Sequence, residues 1–104
     1  MNLKPTLTEL QSQLQNLKNF GVVVYGSYAS GNFTSRSDID VAIVTMESSP
    51  IENKRIWENI LGKVPQKYDL KVFELLSLEI KASIIQNNIV VFGNSLDISE
   101  YFYH

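Results

Sequence analysis

"GSYASGNFTSRSDID", residues 26–40, joins two apolar segments, with a Gly-Ser pair at its start and two aspartates at its end. Its middle is rich in Ser, Gly and Asn, which predicts a loop holding at most one helical turn that starts at Ser27. The flanking segments FGVVVYG and DIDVAIVTM are rich in β-branched residues and are typical of buried strands. The stretch therefore predicts a strand, a turn and a second strand that begins with Asp38 and Asp40.

The two aspartates at the start of the second strand predict a cation site. Because side chains alternate along a strand, Asp38 and Asp40 share one face. The opposite face, expected to pack on the core, is formed by Ile39, Val41 and Ile43. Residues two apart on a strand lie roughly 6.6 Å apart at Cα, so the carboxylates converge and repel each other. Oxygen donors suit hard cations, so the expected guest is Mg²⁺ or Mn²⁺, although a purely structural role is common for an isolated pair.

A third carboxylate lies in the segment KYDLKVFEL, which predicts another strand. Alternation puts Asp69 and Lys71 on one face of that strand. If it lies beside the second strand, three carboxylates meet at one end of the sheet. Three acids holding two metal ions about 3.5–4 Å apart is the arrangement for in-line phosphoryl or nucleotidyl transfer.

The Gly-Ser pair complements these acids. Gly26 lets the backbone approach a ligand closely, because it has no side chain. Ser27 offers a hydroxyl and exposed N–H groups at the start of a turn, which suit phosphate oxygens. Taken alone the pair is an ordinary turn, but its position ten residues before Asp-x-Asp, between two strands, favours a phosphate site.

The other segments predict helices around a small sheet. In chain order they are a helix over residues 6–18, a helix over residues 48–65 with Ser49 as cap and Pro50 in its first turn, a helix over residues 77–88, a strand over residues 89–93 and a tail of undetermined form over residues 95–104. We expect one domain, residues 1–104, of the α/β (α+β) class, with about four strands covered by three helices.

Composition excludes several functions. The chain has 104 residues, a formal charge of −2, no cysteine and a single histidine, His104. Thiol catalysis and thiolate metal sites are excluded, and a histidine zinc site is not expected. The Lys and Arg residues are scattered, so direct binding to a nucleic-acid backbone is not expected. No apolar run is long enough to span a membrane and no signal peptide is present, so a cytoplasmic location is expected.

At these residues the sequence resembles the DNA polymerase β-like nucleotidyltransferase superfamily and, within it, the minimal nucleotidyltransferases. The matching positions are Gly26-Ser27, Ala29, Gly31, Ser37-Asp38-Ile39-Asp40-Val41 and, as third acid, Asp69. The resemblance implies that Asp38, Asp40 and Asp69 are catalytic and bind two Mg²⁺ ions, with Mn²⁺ as the alternative. It also implies that Gly26 and Ser27 bind the triphosphate of ATP and that Asp69 activates the attacking hydroxyl.

One position departs from the resemblance. Many relatives have Arg or Lys where this chain has Ser30. A positive charge for the phosphates is then expected from Arg36 or Lys71, although both are also plausible solvated surface charges. We predict Arg36 and Ser37, which precede the first acid, as further nucleotide-binding residues.

The resemblance also implies a partner. Minimal nucleotidyltransferases are commonly paired with HEPN-domain toxins, and we expect this chain to be an antitoxin that transfers AMP from ATP to a tyrosine of such a toxin, in a homo- or hetero-oligomer. A non-catalytic antitoxin that acts by binding and a small-molecule nucleotidyltransferase are the alternatives. The adjacent aromatics Tyr101, Phe102 and Tyr103 either pack on the domain or form a docking surface.

Overall fold

The computed structural model describes residues 4–34 and 36–103. Within them, five α-helices and four strands follow one another as α1 (Leu7–Gln13), β1 (Gly21–Tyr25), α2 (Ser27–Ser30), β2 (Ile39–Val44), α3 (Pro50–Ile60), β3 (Tyr68–Val72), α4 (Leu78–Gln86), β4 (Ile89–Phe92) and α5 (Ser95–Phe102). Short 3₁₀ turns span Gln15–Leu17, Leu61–Lys63 and Phe73–Leu75. The α/β (α+β) class and the four strands are as predicted, and the helical turn at Ser27 is present.

The four strands form one mixed sheet in the order β3-β2-β1-β4. Strand β1 is antiparallel to both β2 and β4, whereas β2 and β3 run parallel. A parallel pair needs a long crossover, which α3 supplies here. Consequently the first residues of β2 and β3 and the last residues of β1 meet at one end of the sheet.

Both faces of the sheet are covered. On one face Ile39, Val41 and Ile43 are buried with residues of α1 and α3, as predicted for the apolar face. The other face was expected to carry the acids, yet beyond Asp40 it is also buried. Ala42 and Val44 form a second core there, with the side chains Val23, Phe73, Ile84 and Ile98. The carboxylates therefore lie at the rim of a buried layer.

The helix starts follow local sequence. The side chains of Thr6, Ser49 and Ser77 each accept a backbone N–H from the first turn of the following helix. In a reciprocal capping box the Ser49 N–H would donate to the side chain of Glu52, three residues later. Here it donates to the Glu47 carboxylate instead, at 3.0 Å. The first helix is shorter than predicted, since regular α-helix ends at Gln13 and a 3₁₀ turn continues the chain.

The C-terminal tail forms the helix α5, which the sequence left undetermined. With α2, it brings the helices to five instead of the predicted three. Asn94 caps α5 by accepting the N–H groups of the second and third helical residues. Phe102 stacks on Phe73 at 4.6 Å between ring centroids, and Tyr101 packs in the second core. Tyr103, by contrast, is 75% exposed.

Within residues 4–34 and 36–103, no helix combines the length and apolar character that a transmembrane segment requires.

Candidate active site

The strand pairing brings two of the predicted acids together. Asp40 of β2 lies directly opposite Asp69 of the parallel strand β3. On its other side Asp40 lies opposite Tyr25, the last residue of β1. Because residues opposite each other in a sheet project from the same face, the two carboxylates and the phenol form one row at the end of the sheet.

The third acid, Asp38, is exposed and lies one residue before β2 begins. It is close enough for its charge to act on Asp40. The pKa of Asp40 is raised, first by burial and then by the negative charges of Asp69 and Asp38, while the ammonium of Lys71 opposes that rise. Like charges thus converge on Asp40, as the alternation of the strand predicted.

A lysine already contacts this acidic row. The Lys71 ammonium lies 3.5 Å from Asp69 Oδ1, and both side chains are close to half exposed. Lys71 also lies opposite Ala42, on the face that carries Asp40. Of the two basic residues suggested by the sequence, Lys71 is therefore beside the acids. Arg36 is exposed in the preceding loop, where its backbone N–H donates to the Thr34 hydroxyl at 3.3 Å.

The Gly-Ser turn packs against the same carboxylate. Gly26 has φ +66°, and a Cβ added there would lie 2.2 Å from Asp40 Oδ2. Any other residue would therefore be strained and would push the Asp40 carboxylate away. Ser27 follows as the first residue of α2 and makes no side-chain hydrogen bond to the rest of the described chain. The turn thus sets the Gly26 backbone next to Asp40, and Ser27 follows directly after it.

Two other serines of this loop are used internally. The Ser37 hydroxyl accepts the Thr34 N–H at 3.1 Å and shares a second hydrogen bond with the Thr34 hydroxyl. Ser30 donates to the Ser27 carbonyl at 3.4 Å. Both side chains therefore shape the chain around the acids, and a role of Ser37 in nucleotide binding stays a prediction.

Sequence reasoning missed Tyr25. Its half-buried phenol has a pKa raised to about 12, first by burial and then by the charges of Asp40 and Asp69. Alternation along β1 puts Tyr25 on one face with Val23, but only the pairing with β2 reveals that the acids share that face. Tyr25 forms the wall of the site on the β1 side.

The donor set suits a hard cation in its chemistry. Carboxylate oxygens are the ligands that Mg²⁺ prefers, and a positive ion would relieve the repulsion that raises the pKa of Asp40. Across residues 4–34 and 36–103, no three His, Cys, Asp or Glu side chains form a group that could hold a metal ion by themselves. Magnesium often takes only one or two protein carboxylates and completes its shell with substrate phosphates and water. The arrangement therefore fits a divalent ion whose remaining ligands are water or substrate phosphates.

With this geometry established, the chain can be assigned to a family. The family model described as "Polymerase beta, Nucleotidyltransferase" matches residues 8–97, which include both acidic strands and the Gly-Ser turn. The chain belongs to this nucleotidyltransferase family, and the resemblance expected from the sequence is confirmed.

Two curated proteins of Methanocaldococcus jannaschii are similar in sequence. "Putative protein adenylyltransferase MJ1547" is 46% identical over 86 residues, which cover 83% of this chain and 66% of that protein. A second protein of the same description, MJ0141, is 32% identical over 65 residues, covering 62% of this chain and 66% of that protein. The matches thus span just under two thirds of the length of these relatives.

Solved structures of toxin–antitoxin complexes share the fold. One is a toxin–antitoxin crystal structure with AMP-PNP, with a TM-score of 0.65 at 19% identity, covering 94% of this chain and 81% of that one. Another is a tri-AMPylated Shewanella oneidensis HEPN toxin in complex with its MNT antitoxin, with a TM-score of 0.56 at 16% identity, covering 92% and 76%. At these identities the likeness shows the shared fold alone.

Proposed function

We propose that this chain is an Mg²⁺-dependent nucleotidyltransferase that transfers AMP from ATP to a tyrosine hydroxyl of a HEPN toxin and thereby acts as its antitoxin. The observation that carries the proposal is the row formed by Asp40 and Asp69, with the Gly26 backbone pressed against Asp40. The curated relatives described as protein adenylyltransferases support the reaction. The toxin–antitoxin complexes of the same fold support the partner.

The nucleotide phosphates and the acceptor hydroxyl would be bound on opposite sides of Asp40. Asp38, Asp40 and Asp69 would hold the cation together with water and substrate phosphates, and the bound ion would neutralise charge that develops on the reacting phosphate. On the β1 flank, the Gly26-Ser27 turn presents N–H groups to the phosphates. On the β3 flank, Asp69 accepts the proton of the acceptor hydroxyl. A bond forms between the tyrosyl oxygen and the α-phosphorus, and pyrophosphate leaves.

The exposure of the acids favours a large acceptor. β3 lies at the edge of the sheet, and the Asp69 side chain is 47% exposed. A hydroxyl can therefore approach Asp69 from outside the domain. Since orientation supplies much of the rate, we expect a folded partner to be a far better acceptor than free tyrosine.

Antitoxin action by binding alone is the second candidate. It is favoured by Ser30, which stands where many relatives have a basic residue near the phosphates. It differs from the first candidate in needing neither ATP nor the acids, so one comparison separates the two.

The test mixes the HEPN toxin and MgATP with wild type, with Asp38→Asn or with Asp97→Asn. Asp97 is a matched exposed aspartate in the first turn of α5. We expect wild type and Asp97→Asn to add AMP to the toxin, seen by intact-mass spectrometry, and to stop RNA cleavage. Asp38→Asn should add no mass and leave the toxin active. If all three silence the toxin and none adds mass, the binding antitoxin is correct and the enzymatic proposal is wrong.

A further inference from the structure

Lys71 affects both carboxylates of the acidic row, and not only Asp69, with which it forms an ion pair. Lys71 lies two residues beyond Asp69 along β3, on the same face, and its ammonium is 3.5 Å from Asp69 Oδ1. Its charge also acts on Asp40, whose pKa it lowers against the effect of the neighbouring acids. Lys71 therefore supplies positive charge to both strand carboxylates in the row.

The ion pair between Lys71 and Asp69 is too exposed to be explained by a contribution to the stability of the fold. The Lys71 and Asp69 side chains are 43% and 47% exposed, and ion pairs at that exposure contribute little to folding. A weak pair is also easily exchanged, because the ammonium loses little when it leaves. The contact is thus suited to a group that changes partners.

The Gly-Ser turn on the other flank provides no cation of its own. Residues 26–34, which form the Gly-Ser turn and the start of the loop, contain no lysine or arginine. Arg36, the basic residue later in this loop, forms no ion pair with the acids in the described part of the chain, whereas Lys71 contacts Asp69, which lies opposite Asp40. Lys71 is therefore the cation placed to reach a phosphate bound beside Asp40. Lys71 also lines an apolar hollow with Trp57, Val72, Leu75 and Leu76.

We propose that Lys71 is a placeholder cation: its ammonium occupies the acidic row in the metal-free protein, yields Asp69 when a divalent ion binds and then contacts a phosphate of the nucleotide. The proposal rests on the nucleotidyltransferase function and assigns its phosphate-binding cation. Lysine suits the exchange, since its ammonium is a compact charge with three donors on a flexible stem. Lys71 and the divalent ion then compete for Asp69, whereas Lys71 and the nucleotide attract each other.

These two relations predict effects of opposite sign. In Lys71→Met the competitor is absent, so Mn²⁺ alone should bind about two- to fivefold more tightly, as expected for loss of an exposed ion pair. The same variant should bind AMP-PNP about tenfold more weakly, as expected for loss of one hydrogen bond to a charged group. Lys71→Arg should recover most of the nucleotide affinity. A merely structural role would not move the two affinities in opposite directions.

The experiment measures Mn²⁺ binding without nucleotide by electron paramagnetic resonance, and AMP-PNP binding in Mg²⁺ by calorimetry. Wild type, Lys71→Met, Lys71→Arg and the control Lys63→Met are compared, after thermal melting has shown that all four are folded. Lys63 is an exposed lysine that takes part in neither ion pair of the described residues. If Lys71→Met leaves either affinity unchanged, or shifts both in one direction, the role of Lys71 is wrong. If wild type itself binds neither Mn²⁺ nor AMP-PNP, the proposed function fails instead.

Discussion

A carboxylate lies at each end of β2, and the two differ in whether hydrogen-bond donors surround them. At its start, Asp40 lies beside Asp69 and Asp38, and no donor from the described residues hydrogen-bonds to its carboxylate. At its far end, about 16 Å away at 3.3 Å per residue, the Glu74 carboxylate is fully engaged. It accepts the N–H groups of Thr45 and Met46 at 3.2 and 2.8 Å and the Tyr101 hydroxyl at 2.7 Å.

The far end is closed by its own polar groups. Asn53, only 1% exposed, accepts the Thr45 hydroxyl and donates to the Glu47 carbonyl at 2.7 Å. Met46 has φ +60°, a conformation that is costly for a side chain of this size and is held by its hydrogen bond to Glu74. A carboxylate surrounded by donors stabilises the fold, whereas one surrounded by like charges needs a cation. The comparison therefore separates a structural end of β2 from the end that we propose to be the active site.

The strongest test of this division is Asp40→Asn. Transfer of AMP should fall by about a thousandfold or more, because the charge that holds the cation at the reacting phosphate is removed. The melting temperature should stay the same or rise slightly, since one of several repelling charges is lost. Label transfer from ATP and thermal melting measure the two effects. A variant that melts well below wild type would make Asp40 structural and would break the comparison.

Gly26→Ala should give the next largest effect. Its added methyl would collide with Asp40 Oδ2, so transfer should fall by about a hundredfold as the carboxylate is displaced. Gly31→Ala is the matched control, because Gly31 also has positive φ, +85°, but nothing lies within 4 Å of an added Cβ. Both variants should lose about 1–2 kcal/mol of stability from backbone strain. Equal activity losses in the two would mean that the contact with Asp40 is irrelevant.

The candidate residues Asp38, Asp40, Gly26 and Ser27 could be named from the sequence because their signals are local. Asp38-x-Asp40 and Gly26-Ser27 are read from neighbouring residues, as are the caps Thr6, Ser49 and Ser77. The turn chemistry and the alternation of strand faces act over a few residues, so no knowledge of the fold is needed. The roles of Asp38, Asp69 and the Gly-Ser turn in catalysis stay predictions until the variants are measured.

The structural end could not be predicted, because it depends on contacts between distant segments. Glu74 was placed in the third strand by its apolar pattern, yet β3 ends at Val72 and a 3₁₀ turn carries Glu74 to the loop after β2. Its partner Tyr101 lies in a tail whose helix forms by packing on the second core. Tyr25 was missed for the same reason, since register between strands decides which side chains share a row.

Glu74→Ala should damage stability and spare the chemistry. Two backbone N–H groups and the Tyr101 hydroxyl would lose their acceptor, which should cost about 2–3 kcal/mol of the free energy of unfolding. Urea unfolding measures this cost. Transfer per folded molecule should stay within about twofold of wild type, since Asp40 lies at the opposite end of β2. Glu74→Gln, which keeps an acceptor oxygen, should lose less. If the folded variant lost transfer activity, Glu74 would affect the chemistry at Asp40, and the two ends of β2 would not be independent.

Tyr101→Phe should give the smallest effect and tests a single hydrogen bond of the structural end. The variant loses the donor to Glu74 but keeps the ring, so it should be about 1 kcal/mol less stable at pH 7, with transfer unchanged. Tyr103→Phe, at a position 75% exposed, is the control and should match wild type.

The stability difference between wild type and Tyr101→Phe should decrease at high pH. Burial, followed by the hydrogen bond and charge of Glu74, raises the pKa of Tyr101 above its ordinary value of 10.0. The folded state thus favours the protonated phenol, and the stability that this adds is complete below pH 10 and is lost as pH rises above it. Unfolding measured from pH 7 to pH 11 should therefore show wild type losing its advantage over Tyr101→Phe above pH 10. A gap that widens with pH would mean that the phenolate is the favoured form, and that Glu74 is not held by Tyr101 as a donor.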